Sequence, residues 1–247
     1  MDFSPCKVYR ADVAVLGVDT ASTAGSVALI EADRVVVSLY VRQASAFTRP
    51  VLRMIDHILD WADCTLADLT GLVVNIGPGA FTGLRVGLSL AQGLALASGK
   101  PLVGYSAFDA LVAMVPEWEG VICPVLEARK GEVYAAFYRQ HGGELQQMAP
   151  GMVIAPEALC ALVEERTLFL GSGVRSYGTV LATTLGARAV CRDTGVEEIG
   201  LAASLARLGE AHLRVAASAA VLPPQPLYIR PADARLPRHV AQAAGIM

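Results

Sequence analysis

Hydrophobic positions along the chain alternate between two regimes. Near-continuous β-branched and aliphatic runs at 13–18, 26–30 and 35–40 predict three strands. The first reads as buried and central, and the other two are joined by a hairpin at 31–34, so the three form a meander. Between 49 and 62 the period lengthens. Val51, Leu52, Met54, Ile55, Ile58, Leu59 and Trp61 cover about half of a helical wheel, with Arg49, Arg53, Asp56, His57 and Asp60 opposite. Thr48 suits the N-cap of this helix and Pro50 its first turn. A strand at 71–76, a helix at 82–98 and a strand at 102–105 complete the order β-β-β-α-β-α-β.

The second half repeats the rhythm. It predicts a helix near 107–114, a strand at 121–127, a turn at 128–131 and a strand at 132–138. A hairpin turn at 141–143, a helix at 156–165, a strand at 168–173 ending in glycines and a last long helix at 199–213 follow. The expected architecture is therefore α/β, with two duplicated ββ(β)αβα lobes at 12–106 and 107–222. Residues 1–11 form a loosely held extension, and 223–247 an extended docked segment followed by a basic tail.

Composition narrows the function classes. The 247 residues are 54% hydrophobic, and the mean hydropathy of +0.47 is high. No apolar run reaches the ~18–20 residues of a membrane span. The best candidate, 86–98, is interrupted by Ser89, Gln92 and Gly93. With Asp2 and no basic-then-apolar start, a cytoplasmic protein that does not enter the membrane is expected. A net charge of −3 offers no electrostatic case for gripping nucleic acid unaided. The five cysteines form no C-x-x-C and the four histidines no H-x-x-x-H, so neither a metal site nor a redox motif is expected. No G-x-S-x-G elbow supports triad catalysis.

Four constellations carry candidate chemistry. Asp19, at the end of the first strand and followed by Thr20, Ser22 and Thr23, can hold a Mg²⁺-bound water and offer amides to phosphate, or can simply organise its own turn. Gly77-Pro78-Gly79 and Gly83 lie between a strand and a helix, where an anion-receptive turn and a tight chain reversal are both served. No Gly-Lys-Ser/Thr closes a P-loop there. The helix that follows carries Ala80, Gly83, Gly87, Ala91 and Ala95 as a small-residue stripe, flanked by Leu84 and Leu88 on one edge and Val86 and Leu90 on the other. A helix apolar nearly all round is buried on more than one side, either by its own chain or by a partner. The fourth, Glu127-Ala128-Arg129-Lys130-Gly131, is the positional counterpart of the Asp19 turn but has charges where a phosphate loop has glycines.

The runs at 15–29, 75–111, 127–138 and 226–230, with GPGAFTGLRVG the most specific, resemble the TsaB (YeaZ) family over about 12–230. The resemblance implies an ASKHA (actin/Hsp70/sugar-kinase-like) fold and a non-catalytic subunit in threonylcarbamoyl transfer to adenosine 37 of ANN-reading tRNAs. It implies TsaD as the direct partner, TsaE in the same complex, a homodimer in isolation, and tRNA as the complex's substrate. The implied partner surface is Arg49, Arg53, His57, Phe81, Thr82, Gly83, Arg85, Val86, Gly87, Leu90, Ala91 and Leu94. The implied nucleotide site is a degenerate one at Asp19, Thr20, Gly77 and Gly79, with no tightly bound cofactor and nucleotide at most at a surface shared with TsaD. Two positions depart from the family pattern: Phe47-Thr48 where a His-Ser or His-Thr pair commonly opens the first helix, and Glu127 where an aspartate commonly stands. The alternatives are an autonomous ASKHA phosphotransferase, which would need a second Asp-and-glycine phosphate loop, and a metallopeptidase, which would need paired histidines.

Overall fold

Alternating burial along the strands places three apolar cores between two sheets and their helices. A computed structural model describes residues 14–22, 24–42, 48–216 and 223–230. The expected extension at 1–11, the tail beyond 230, Thr23, Phe47 and the capping side chain of Thr48 lie outside the described residues. Strands β1 (Ala14–Asp19), β2 (Ala24–Glu31) and β3 (Arg34–Arg42) form the predicted antiparallel meander. Helix α1 (Thr48–Trp61) follows, then β4 (Gly71–Asn75), α2 (Phe81–Ser98) and β5 (Leu102–Tyr105). Strands β4 and β5 add in parallel, giving the order β3-β2-β1-β4-β5.

After α3 (Ala107–Val112) the second sheet begins with β6 (Gly120–Glu127), β7 (Val133–Ala135), β8 (Tyr138–His141), β9 (Glu144–Gln147) and β10 (Met152–Ile154). It continues through α4 (Pro156–Cys160), β11 (Thr167–Leu170), α5 (Ser172–Leu185), β12 (Ala189–Arg192), α6 (Val196–Ile199) and α7 (Ala202–Ala216). The order β10-β7-β6-β11-β12 repeats that of the first sheet position for position, with the β8–β9 hairpin as an insertion.

Several elements differ from the sequence expectation. The strand expected at 132–138 is split into β7 and β8, which pair with β6 in one continuous register, Glu127↔Val133 to Ile122↔Tyr138. The break faces Pro124, which has no N–H to give the ladder. The helix expected at 156–165 stops at Cys160. The glycines at 171–173 open helix α5 rather than ending a strand, and both α5 and β12 are additions.

Although it follows the second sheet in sequence, α7 packs on the first, against β1, β2, β4 and β5. Gly17 makes this close approach possible: a Cβ there would lie 2.1 Å from the carbonyl oxygen of Ala202. The first sheet thus has α1 and α2 on one face, with Leu16, Val18, Leu72 and Val74 in that core. On its other face Val15 and Val73 join α3, α7, Ile122, Leu168 and Leu170 in a core shared by both sheets. A third core lies between the second sheet and α4 and α5.

Candidate functional site: a closed turn and an open helix face

Strand β1 delivers Asp19 to a turn where its carboxylate is already engaged. Asp19 is 4% exposed, and its Oδ1 accepts from the Ala21 amide at 3.0 Å and from Asn75 Nδ2 at 2.8 Å. The Leu201 backbone N–H, at the approach to α7, also donates to it. Burial raises the Asp19 carboxyl above its ordinary range, and these three donors pull the other way. Asn75 Oδ1 in turn accepts from the Gly77 amide at 2.8 Å.

The neighbouring glycines close the joint. The Thr20 hydroxyl donates to the Gly83 carbonyl at 2.7 Å, and the Ala80 amide donates to the Ala21 carbonyl at 2.6 Å. A Cβ on Gly79 would meet the Ala21 oxygen at 2.2 Å, one on Gly83 the Thr20 oxygen at 2.0 Å, and one on Gly87 the Thr20 Oγ1 at 2.3 Å. At Gly77, φ is +115° and a Cβ would stand 2.8 Å from the Leu227 oxygen. The structure brings Asp19, Thr20, Gly77 and Gly79 to one joint. The Asp19 carboxylate, the Thr20 hydroxyl and the Gly77 amide are each spent on neighbouring protein groups rather than left open to a ligand. In the second lobe, the exposed Glu127 takes the Ser176 hydroxyl, and its amide donates to Ser172 Oγ at 3.1 Å. Among the described residues no cluster of three or more His, Cys, Asp or Glu could hold a metal.

The small-residue stripe therefore points inward. Gly83, Gly87 and Ala91 are buried against the chain's own first lobe and offer no surface, which corrects their expected place in a partner interface. The physical reason is the close packing of α2 on the Thr20 turn and the sheet, which only residues without a Cβ, or with a methyl alone, allow. What α2 turns outward is Thr82, Arg85, Ser89, Gly93, Leu96 and Ala97, with Val86, Leu90 and Leu94 half-buried beside them. Leu96 is 87% exposed, and a Cβ on Gly93 would touch nothing within 4 Å. Phe81, Thr82, Arg85, Val86, Ser89 and Leu90 line an open groove.

Arg49, Arg53 and His57 of α1 are exposed beside this face, and the His57 ring stacks on Trp61 at 5.7 Å. Trp61 is 62% exposed and Leu52 is also exposed. Neither was among the expected contact residues, although both stand on the wide apolar face read from the sequence. Tyr228 is the other unforeseen member: the Arg85 Nε donates to its hydroxyl at 3.1 Å, and its ring lies 5.1 Å from Phe81. A separation of 143 residues left no signal of that contact in the sequence.

Two sheets of matching strand order, each carrying helices on its faces, define an ASKHA-fold protein. The family model described as TsaD, tRNA N6-adenosine threonylcarbamoyltransferase, matches residues 42–237. The chain is 33% identical over 173 residues to the tRNA threonylcarbamoyladenosine biosynthesis protein TsaB of Escherichia coli, covering 67% of this chain and 71% of that protein. It is 27% identical over 177 residues to the TsaB of Bacillus subtilis, covering 70% and 77% respectively. The solved structure of YeaZ from Pseudomonas aeruginosa superposes with a TM-score of 0.67 at 26% identity, over 87% of this chain and 99% of that one. The chain belongs to the TsaB (YeaZ) family, within the wider group that the TsaD model describes.

Proposed function

We propose that this chain is the non-catalytic partner subunit in the transfer of a threonylcarbamoyl group to adenosine 37 of ANN-reading tRNAs. It docks on TsaD through the outward face of α1 and α2, with TsaE completing the complex in the cytoplasm. In the absence of TsaD the same face takes a second copy of the chain. The observation that carries this reading is the contrast between the two sides of α2. Its inward side packs against the Asp19–Ala21 turn, while its outward side leaves Phe81, Leu96 and neighbouring Trp61 in water. Apolar area left in water drives association at ~25 cal/mol per Å², and an aromatic–arginine patch is the composition of interface hot spots.

Among the described residues neither alternative finds the groups it needs. A phosphotransferase needs a free carboxylate and open phosphate loops, whereas Asp19 accepts three hydrogen bonds and Glu127 is held by Ser176. Co-expression of the tagged chain with the TsaD of its own genome tests the reading. Wild-type chain is expected to retain TsaD, and Leu90→Asp to lose it while staying folded. Depletion of the chain is expected to lower threonylcarbamoyladenosine in bulk tRNA, read by mass spectrometry. Unchanged nucleoside levels after depletion, or retention of TsaD by the Leu90→Asp chain, would overturn it.

A further inference from the structure

Residues 223–230 cross from one lobe to the other and touch the docking face on the way. In the first lobe the Leu227 amide donates to the Ile76 carbonyl at 2.7 Å, and Gln92 Nε2 of α2 donates to the Pro224 carbonyl at 3.3 Å. Tyr228 then holds Arg85, whose guanidinium carbon lies 3.7 Å from the centre of the Phe81 ring. Two residues later the strap reaches the second lobe. Arg230 pairs with Glu132 and donates to the Arg129 carbonyl at 3.2 Å, while Ile229 joins the core shared by the sheets. The clasp is incompletely satisfied: Arg230 Nη1 is buried and has no hydrogen-bond partner among the described residues. A buried donor left unpaired works against the closed arrangement, so the clasp stands nearer to opening than a fully paired one would.

The geometry points to a coupling device: closure of the strap on Glu132 and docking at the α2 face favour each other, with Tyr228 and Arg230 as positioning residues. This rests on the docking reading above and deepens it. Tyr228 fixes the Arg85 guanidinium over Phe81, so the patch is organised before the partner arrives. Arg230, two residues further on, is anchored on the other lobe, so the anchor adds to the first-lobe contacts that hold Tyr228 in that place. By linkage, a partner that favours the organised patch must tighten the anchor, and loss of the anchor must weaken the partner by the same factor.

The test measures the affinity of full-length chain for its cognate TsaD together with hydrogen exchange at the Leu227 amide. Glu132→Gln, on the second lobe, removes the anchor charge at nearly constant volume, and Arg85→Glu disrupts the patch itself. The expected result is about a fivefold or greater loss of affinity in Glu132→Gln, and slower Leu227 exchange when TsaD binds the wild type. A merely structural strap would change the melting temperature but move neither readout. Wild-type affinity in Glu132→Gln alongside lost binding in Arg85→Glu overturns the coupling and leaves the docking face standing. Wild-type affinity in both variants overturns the docking face and the coupling with it.

Discussion

Thr20 donates its hydroxyl to the main-chain carbonyl of Gly83 at 2.7 Å, joining the turn after β1 to the first turn of α2 across 63 positions of sequence. That bond requires α2 to lie against the turn backbone, and the helix reaches it by carrying glycine at each point of contact. The same helix carries a glycine on its other side, Gly93, where nothing lies within 4 Å of a Cβ. Two kinds of glycine on one helix make opposite demands. Gly83→Ala and Gly87→Ala are expected to destabilise by about 1–3 kcal/mol, because a methyl must displace Thr20. Gly93→Ala is expected to stabilise by about 0.5–1 kcal/mol, since an exposed helical glycine only adds entropy to the unfolded chain. Urea unfolding of the three variants checks both signs.

Asp19 gives a pH-dependent prediction. Burial raises its carboxyl above the unfolded range, so the folded protein disfavours the ionised form. Stability from this group is fully present below the unfolded value of about 3.9 and is lost as pH rises through the folded value. Asp19→Asn keeps an Oδ1 acceptor for Ala21 and Asn75 without the charge. It is expected to gain stability relative to wild type as pH rises above about 4, with the difference vanishing in acid. Asp19→Ala leaves those donors unpaired and is expected to cost about 1–3 kcal/mol at neutral pH. Thermal melts between pH 3 and pH 8 separate the two.

The exposed apolar positions predict a split between stability and association. Leu96→Glu and Trp61→Glu replace side chains that are 87% and 62% exposed. Each is expected to change folding free energy by less than about 0.5 kcal/mol. Each is expected to weaken self-association or TsaD binding at least tenfold, about 1.4 kcal/mol. Sedimentation equilibrium and calorimetry provide the two numbers, and an unchanged dimerisation constant would exclude this face.

The sealed turn predicts indifference to nucleotide. Millimolar Mg-ATP or Mg-ADP is expected to move the melting temperature of the isolated chain by less than about 1 °C, because a ligand that binds the folded state must stabilise it in proportion to its occupancy. A shift of several degrees would show that Asp19 and the Gly79 turn open for a ligand.

Much of the first lobe was legible in the sequence. Strands β1 to β5 and helices α1 and α2 fall within about two residues of their expected bounds, because continuous β-branched runs and one broad amphipathic helix have distinct periods. The second lobe was less legible. Helix α5 contains Gly178, Val174, Val180 and five serines and threonines, residues that favour strands or turns, so its propensity is weak and packing on β6 and β12 determines it. The duplication held the missing signal, since Gly171-Ser172-Gly173 after β11 stands where Gly77-Pro78-Gly79 stands after β4. Of the candidate site, the sequence offered Asp19 and the Gly77–Gly83 turn as separate constellations, and only the family resemblance grouped Asp19 with Gly77 and Gly79.

By itself the sequence determined the repeated strand–helix order, the absence of metal-ligand spacing, and a helix with too little polar surface for a solvated position. Those are properties of local period and residue type, which survive without knowledge of neighbours. Only the tertiary structure decided which side of α2 faces water, that α7 crosses back to the first sheet, and that Tyr228 completes the patch around Arg85. A helix apolar on nearly every side has no single hydrophobic face to fix its rotation. Its orientation is therefore set by sub-ångström fit of Gly83 and Gly87 to Thr20, a contact between segments some sixty residues apart that no local pattern encodes.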